Sequence, residues 1–197
     1  MKNNYYFLAI YLLLILVAFL LPSFTISGYS ITEHTLSQLG AQQTHNNWVM
    51  NLIFIMLSCI TIVIGCKILN GFYLQLLLLL LFSISLFMSA ICLDTPIDQN
   101  LNYDDFHSEL HSIFSIATKI SLIVYCISVS FIVKRRIHII ITILMSSIIL
   151  MLTYLMFTNP EKKGIYDRAI FISAFGWLFY SFKFYTFIKP RKSILKL

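Results

Sequence analysis

Six apolar runs, Tyr5–Leu21, Trp48–Cys66, Phe72–Cys92, Leu110–Val133, Ile137–Phe157 and Ala169–Ile188, occupy most of the chain. Each is 17 to 24 residues long. As a helix rising about 1.5 Å per residue, each is long enough for a hydrocarbon layer about 30 Å thick. Of the 14 basic and 8 acidic side chains in the 197-residue sequence, these runs hold two, Lys119 and Lys183. A soluble core scatters charge along helix faces, whereas a membrane protein confines it to loops. With 59% hydrophobic and 11% charged residues, an ordinary water-soluble enzyme is excluded. The runs do not alternate in polarity, and lipid requires each backbone polar group to be satisfied within its own segment, so spanning strands are excluded as well. The expectation is an all-α polytopic membrane protein, one domain over residues 1–197 forming a bundle of six transmembrane helices. Leu21-Pro22-Ser23-Phe24 offers no small-x-small cleavage pattern, so the first run reads as a retained helix rather than a signal peptide.

Lys and Arg set the expected orientation. With the N-terminus in the cytoplasm, Lys2, Lys67, Lys134, Arg135, Arg136, Lys183, Lys189, Arg191, Lys192 and Lys196 fall inside, and Lys162, Lys163 and Arg168 outside. Ten against three places both termini in the cytoplasm of a bacterial inner membrane. The net charge of +6 then belongs to a basic inner face whose tail, Lys189-Pro190-Arg191-Lys192, meets anionic lipid headgroups. No basic or aromatic module is long enough for a nucleic-acid surface, and the sequence names no protein partner. The inner connections are short; the outer ones, Pro22–Asn47, Leu93–Glu109 and Thr158–Arg168, are long, and long loops on one face are where function concentrates. Cys59, Cys66, Cys92 and Cys126 all fall inside runs, with no spacing of a metal or redox motif, and no disulfide is expected.

All eight acids and four of five histidines are expected on the outer face. Phe106-His107-Ser108-Glu109-Leu110-His111 opens the fourth helix with two imidazoles one turn apart on one side, a spacing by which helices present ligands to zinc. A metal site needs further donors, for which His34, preceded by Ser30, and Asp94 are candidates, with Asp98 and Asp104 in reserve. Such a zinc would activate a water for attack on an amide or ester near the headgroup level. Below the histidines, Ser115, Thr118 and Lys119 continue a polar stripe expected to face the bundle interior, and an intramembrane Lys is a functional candidate by default. Asp167 is expected to cap the sixth helix, and Arg168 to pair with Asp94 or Asp98 and pin the outer loops. Glu33 and Glu109 complete the polar set. Ser37-Gln38-Leu39-Gly40-Ala41 reads as a helical turn stopped by glycine. Trp48, Tyr103 and Tyr166 suit the outer interface, and Tyr5, Tyr6 and Tyr185 the inner one. Lys183 is expected to snorkel.

Ser37-x-Leu39-Gly40-Ala41, Asn51, Asp94-Thr95-Pro96, His111, and Gly164 with Arg168 together resemble the bacterial and archaeal six-helix family catalogued as domain of unknown function 998. The chain departs from its pattern in the acid before the proline and in the paired histidine. The resemblance implies a six-helix bundle; the family has no settled activity, and is more distantly similar to eukaryotic membrane proteins of autophagy modulation and lipid-anchor remodelling. The Ser-x-x-x-His, Asp and His-x-x-x-His order also resembles the zinc ligands of alkaline membrane ceramidases, which have seven helices. Two functions are therefore expected: an inner-membrane protein of unassigned role with a polar outward pocket, lipid binding or handling being one use for it, or a zinc-dependent lipid hydrolase acting at the outer leaflet.

Overall fold

The computed structural model describes residues 2–24, 28–98 and 100–188. The tail from 189 onward, with Lys189, Arg191, Lys192 and Lys196, lies outside them. Six helices follow one another: α1 (Lys2–Leu20), α2 (Asn47–Ile68), α3 (Tyr73–Ile91), α4 (Asp105–Ser130), α5 (Arg136–Thr158) and α6 (Lys163–Phe184). Short 3₁₀ turns cover Leu21–Phe24, Ser37–Gly40 and Pro160–Lys162. Among the described residues five helices are long and apolar enough to cross a membrane, the first of them counted as Asn4–Phe24. The sixth differs from its expected bounds. It starts at Lys163, ahead of Ala169, and so takes Asp167 and Arg168 into its own body as buried charges.

Each helix packs on its neighbours in sequence, and α6 returns to α1. α6 also fills the middle with an aromatic spine. Phe171 stacks on Phe54 of α2 with ring centroids 4.9 Å apart. Phe175 meets Phe7 of α1 and Phe82 of α3, Trp177 meets Tyr125 of α4, and Tyr180 meets His138 of α5. Six helices arranged in a ring leave more central space than aliphatic side chains on two facing helices can fill, and large planar rings close it at native packing density. α5 has the opposite character: 17% of its span is buried, and Ile140, Leu144 and Met151 point away from the bundle.

The two ends of the bundle differ in how they are tied. At the basic end the connections are a few residues long, and the α4–α5 turn pairs with the segment after α6: Lys134 N–H donates to the Thr186 carbonyl at 2.9 Å and Ile188 N–H to that of Ile132 at 2.8 Å. Tyr185, expected at the interface, is buried here, its hydroxyl 2.7 Å from Thr142 Oγ1 and accepting from Trp177 Nε1. Lys183 is exposed, with its ammonium over the rings of Phe179 and Phe184.

At the acidic end the three long connections interlock. Gln42 N–H donates to the Asp94 carbonyl at 3.0 Å, and Gly164 N–H to that of Thr32 at 2.8 Å. The Gln42 side chain bridges Asp104 in both senses, accepting its N–H and donating to its carbonyl.

The aromatic spine predicts that Phe175→Ala destabilises the protein by about 3 kcal/mol, because it opens a cavity where three helices meet. Ile140→Ala, on the lipid-facing side, should leave it unchanged. Thermal unfolding of both variants in the same detergent measures the difference.

Candidate functional site

The acidic end is organised by Arg168, which is 2% exposed. Its Nε donates to the Ala18 carbonyl at 3.2 Å; Nη1 to the carbonyls of Ile31, His34 and Gly164 at 3.0, 2.8 and 3.0 Å; and Nη2 to the Tyr29 hydroxyl at 2.6 Å. The pairing expected with Asp94 or Asp98 is not made. A guanidinium with five N–H groups needs several acceptors in fixed directions, and the carbonyls where the α1 end and the first long loop converge supply them. Tyr29 passes the connection on, donating to the Thr35 carbonyl at 2.9 Å. Burial holds its phenol above the ordinary value of 10.0 against the lowering effect of Arg168, so it stays a donor.

Gly164 makes this approach sterically feasible. A side chain there would run into the backbone carbonyls of His34, Ile31 and Thr32. The loop therefore lies directly on the first turn of α6. Asp167, one turn on and 2% exposed, does not cap the helix as expected; its Oδ2 accepts the Leu36 N–H at 2.9 Å. Its Oδ1 lies 3.7 Å from Lys119 Nζ, and that ammonium donates to Ser115 Oγ at 3.0 Å. The intramembrane Lys is thus paired across α4 and α6.

A second pair lies beside it. His111, 5% exposed, has Nδ1 at 2.7 and 2.8 Å from the carbonyls of Ser89 and Cys92 at the end of α3. Its Nε2 has no hydrogen-bond partner and stands 3.6 Å from Asp94 Oδ2. Asp94 accepts from Thr95 N–H at 2.8 Å and from Ser37 Oγ at 3.2 Å. Both pairs line one cleft of about 290 Å³, with Ser37, Ser112 and Lys163 around it and Ile116, Met156 and Phe157 along its α4–α5 side.

The remaining candidates lie elsewhere. His34 sits in the first loop, its Nδ1 accepting the Ser30 N–H at 2.9 Å. Burial pushes its pKa below the ordinary 6.5, and the charges of Lys163 and Arg168 act in the same sense. His107 is half-buried on the first turn of α4 and its N–H is capped by Asp104 at 3.2 Å. Asp98 holds its own turn through Asn100. Glu33 and Glu109 are exposed, Ser30 bonds to Thr32, and Thr118 donates back to the Phe114 carbonyl. So His111 and Asp94 come together without His34 or His107, and among the described residues no three His, Cys, Asp or Glu side chains form a group able to hold a metal ion. Gln42 and Ser112 carry no sequence signal for this end; Tyr29 has a local one in its neighbour Ser30, and Lys163, expected outside, lies next to Gly164.

Two outcomes test this geometry. Gly164→Ala should free the first loop, so that residues 28–36 in the folded protein become protease-sensitive; an unchanged digestion pattern contradicts the packing. His34 has a lowered folded pKa, so its contribution to loop docking is complete above pH 6.5 and weakens as pH falls below it. Limited proteolysis should therefore speed up between pH 7.5 and 5.5, and His34→Gln should remove that dependence.

A family model described as "Protein of unknown function (DUF998)" matches residues 9–181. No curated protein and no solved structure matches the chain. The more distant similarity to proteins of autophagy modulation is not shown.

Proposed function

The chain belongs to the DUF998 family, described only as of unknown function, and we propose from its geometry that it is a multi-pass membrane protein that binds a membrane lipid at its acidic end. The observation that carries this reading is the cleft's composition. Its floor holds polar groups, namely Lys119, Asp167, His111, Asp94 and Ser115, while Ile116, Met156 and Phe157 flank it on the α4–α5 side. A soluble metabolite has no use for an apolar flank at membrane depth, whereas a lipid needs a polar seat for its headgroup and an apolar path for its chains.

In this reading the acidic end faces outward, both termini are cytoplasmic and the membrane is a bacterial inner one, with anionic headgroups meeting the basic end. The excess of Lys and Arg at the basic end supports that orientation. Arg168 holds the first loop in place as one wall of the cleft. Hydrolysis by a zinc-bound water is left out, since His34 and His107 lie apart from His111 and Asp94.

The test is lipid retention. Protein purified in mild detergent should carry bound phospholipid detectable by native mass spectrometry. Ile116→Trp, which fills the α4–α5 side of the cleft, should lower the retained lipid roughly tenfold while leaving the melting temperature unchanged. Equal retention in the two proteins overturns the proposal. A reporter fused after Leu197 should read cytoplasmic.

A further inference from the structure

The chemistry of the headgroup can be read from His111 and Asp94. Both neighbours of His111 Nδ1 are carbonyl oxygens, which only accept, so Nδ1 carries a hydrogen, and in the neutral form of the ring Nε2 is a bare acceptor. That atom is buried, belongs to a residue that lines the cleft and has no hydrogen-bond partner among the described residues. Asp94 Oδ2 is an acceptor as well, and at 3.6 Å the two are too far apart to share a hydrogen bond. Of these two acceptors, Oδ2 takes the Ser37 hydroxyl at 3.2 Å and Nε2 takes none. A buried acceptor left unsatisfied costs about 1–3 kcal/mol, so the arrangement calls for a ligand that brings hydrogens.

We propose that His111 Nε2 and Asp94 Oδ2 form a binding site for a primary ammonium group, the headgroup amine of a zwitterionic phospholipid. This rests on the lipid reading above and specifies it. An ammonium has three N–H donors in a compact tetrahedral head, so it can serve Nε2 and the carboxylate together and add the charge that Asp94 lacks opposite it. A quaternary ammonium has the same charge and no N–H, and cannot. The rest of the cleft suits the other half of a zwitterion. Lys163, half-buried, and Lys119 supply positive charge, and the Ser112 hydroxyl is a neutral donor for a phosphate. Asp167 is already engaged by the Leu36 N–H and Lys119, which leaves Asp94 as the carboxylate available to a cation.

The experiment uses the full-length protein reconstituted in vesicles of equimolar phosphatidylethanolamine, phosphatidylcholine and phosphatidylglycerol, re-extracted in mild detergent, with bound lipid identified by mass spectrometry. Phosphatidylethanolamine should be enriched about tenfold over phosphatidylcholine, the gain expected from one charge-assisted hydrogen bond set. Asp94→Asn, close in size and able to keep the Thr95 and Ser37 contacts, should bring the two lipids to parity with no change in melting temperature. Free ethanolamine should displace the bound lipid. Equal retention of all three lipids overturns the ammonium site while leaving the lipid reading intact. Saturable ethanolamine binding, lost in Asp94→Asn, by protein that retains no lipid supports the ammonium site and overturns the lipid reading. If the protein takes up neither lipid nor ethanolamine, both are overturned.

Discussion

A buried guanidinium held by backbone carbonyls is the contact on which the acidic end depends. Arg168 draws on the end of α1, two positions of the first long loop, its own helix and Tyr29. Taking one acceptor away from a buried charged donor costs about 1.5–3 kcal/mol, because the charge itself cannot leave. In a membrane the cost has a structural consequence: the loop must fold down over α6, since no water is at hand to replace it. Gly164 allows that approach and Asp167 extends it by taking the Leu36 N–H. The first loop is thereby made a wall of the cleft instead of a solvated connection.

α6 does two jobs along its length. From Phe171 on it is largely apolar and aromatic and touches every other helix, so it sets the spacing of the bundle. Its first turns carry the charges that set the arrangement of the loops. The rigid spine and the charged head lie on one continuous helix, which fixes Asp167 opposite Lys119 on α4. The cleft thus has a floor anchored in the bundle's core and a rim formed by loops, the division of labour expected of a site that must be both precise and accessible.

Much of this could be read from the residues in order. Apolar runs almost free of charge are sufficient to give five spanning helices among the described residues, and the turn at Ser37–Gly40 appears where a glycine follows an amphiphilic segment. Lys119 stood out because an ammonium inside a run has few options, and its partner lies within the cleft. The partners of Arg168 could not be read, because four of its five acceptors are main-chain carbonyls, which every residue possesses and no side-chain pattern reveals. Asp167 was expected as a cap because the apolar run begins just after it; the helix starts four residues earlier, where Gly164 lets the loop in. His107 and His111 share a helix face, yet only His111 is deep enough to reach the end of α3. Spacing along a helix says nothing about how far each turn is buried.

The central claim is that the buried Arg168 network holds the first loop against the bundle. Hydrogen–deuterium exchange of residues 28–41 in lipid nanodiscs, compared between the natural protein and Arg168→Lys, measures it most directly. Lysine keeps the charge but has three donors on a single atom and cannot span these carbonyls. The account predicts exchange about tenfold or more faster across the loop, including at the Leu36 amide, with the α2 and α3 amides unchanged. Equal protection of the loop in the two proteins would contradict it.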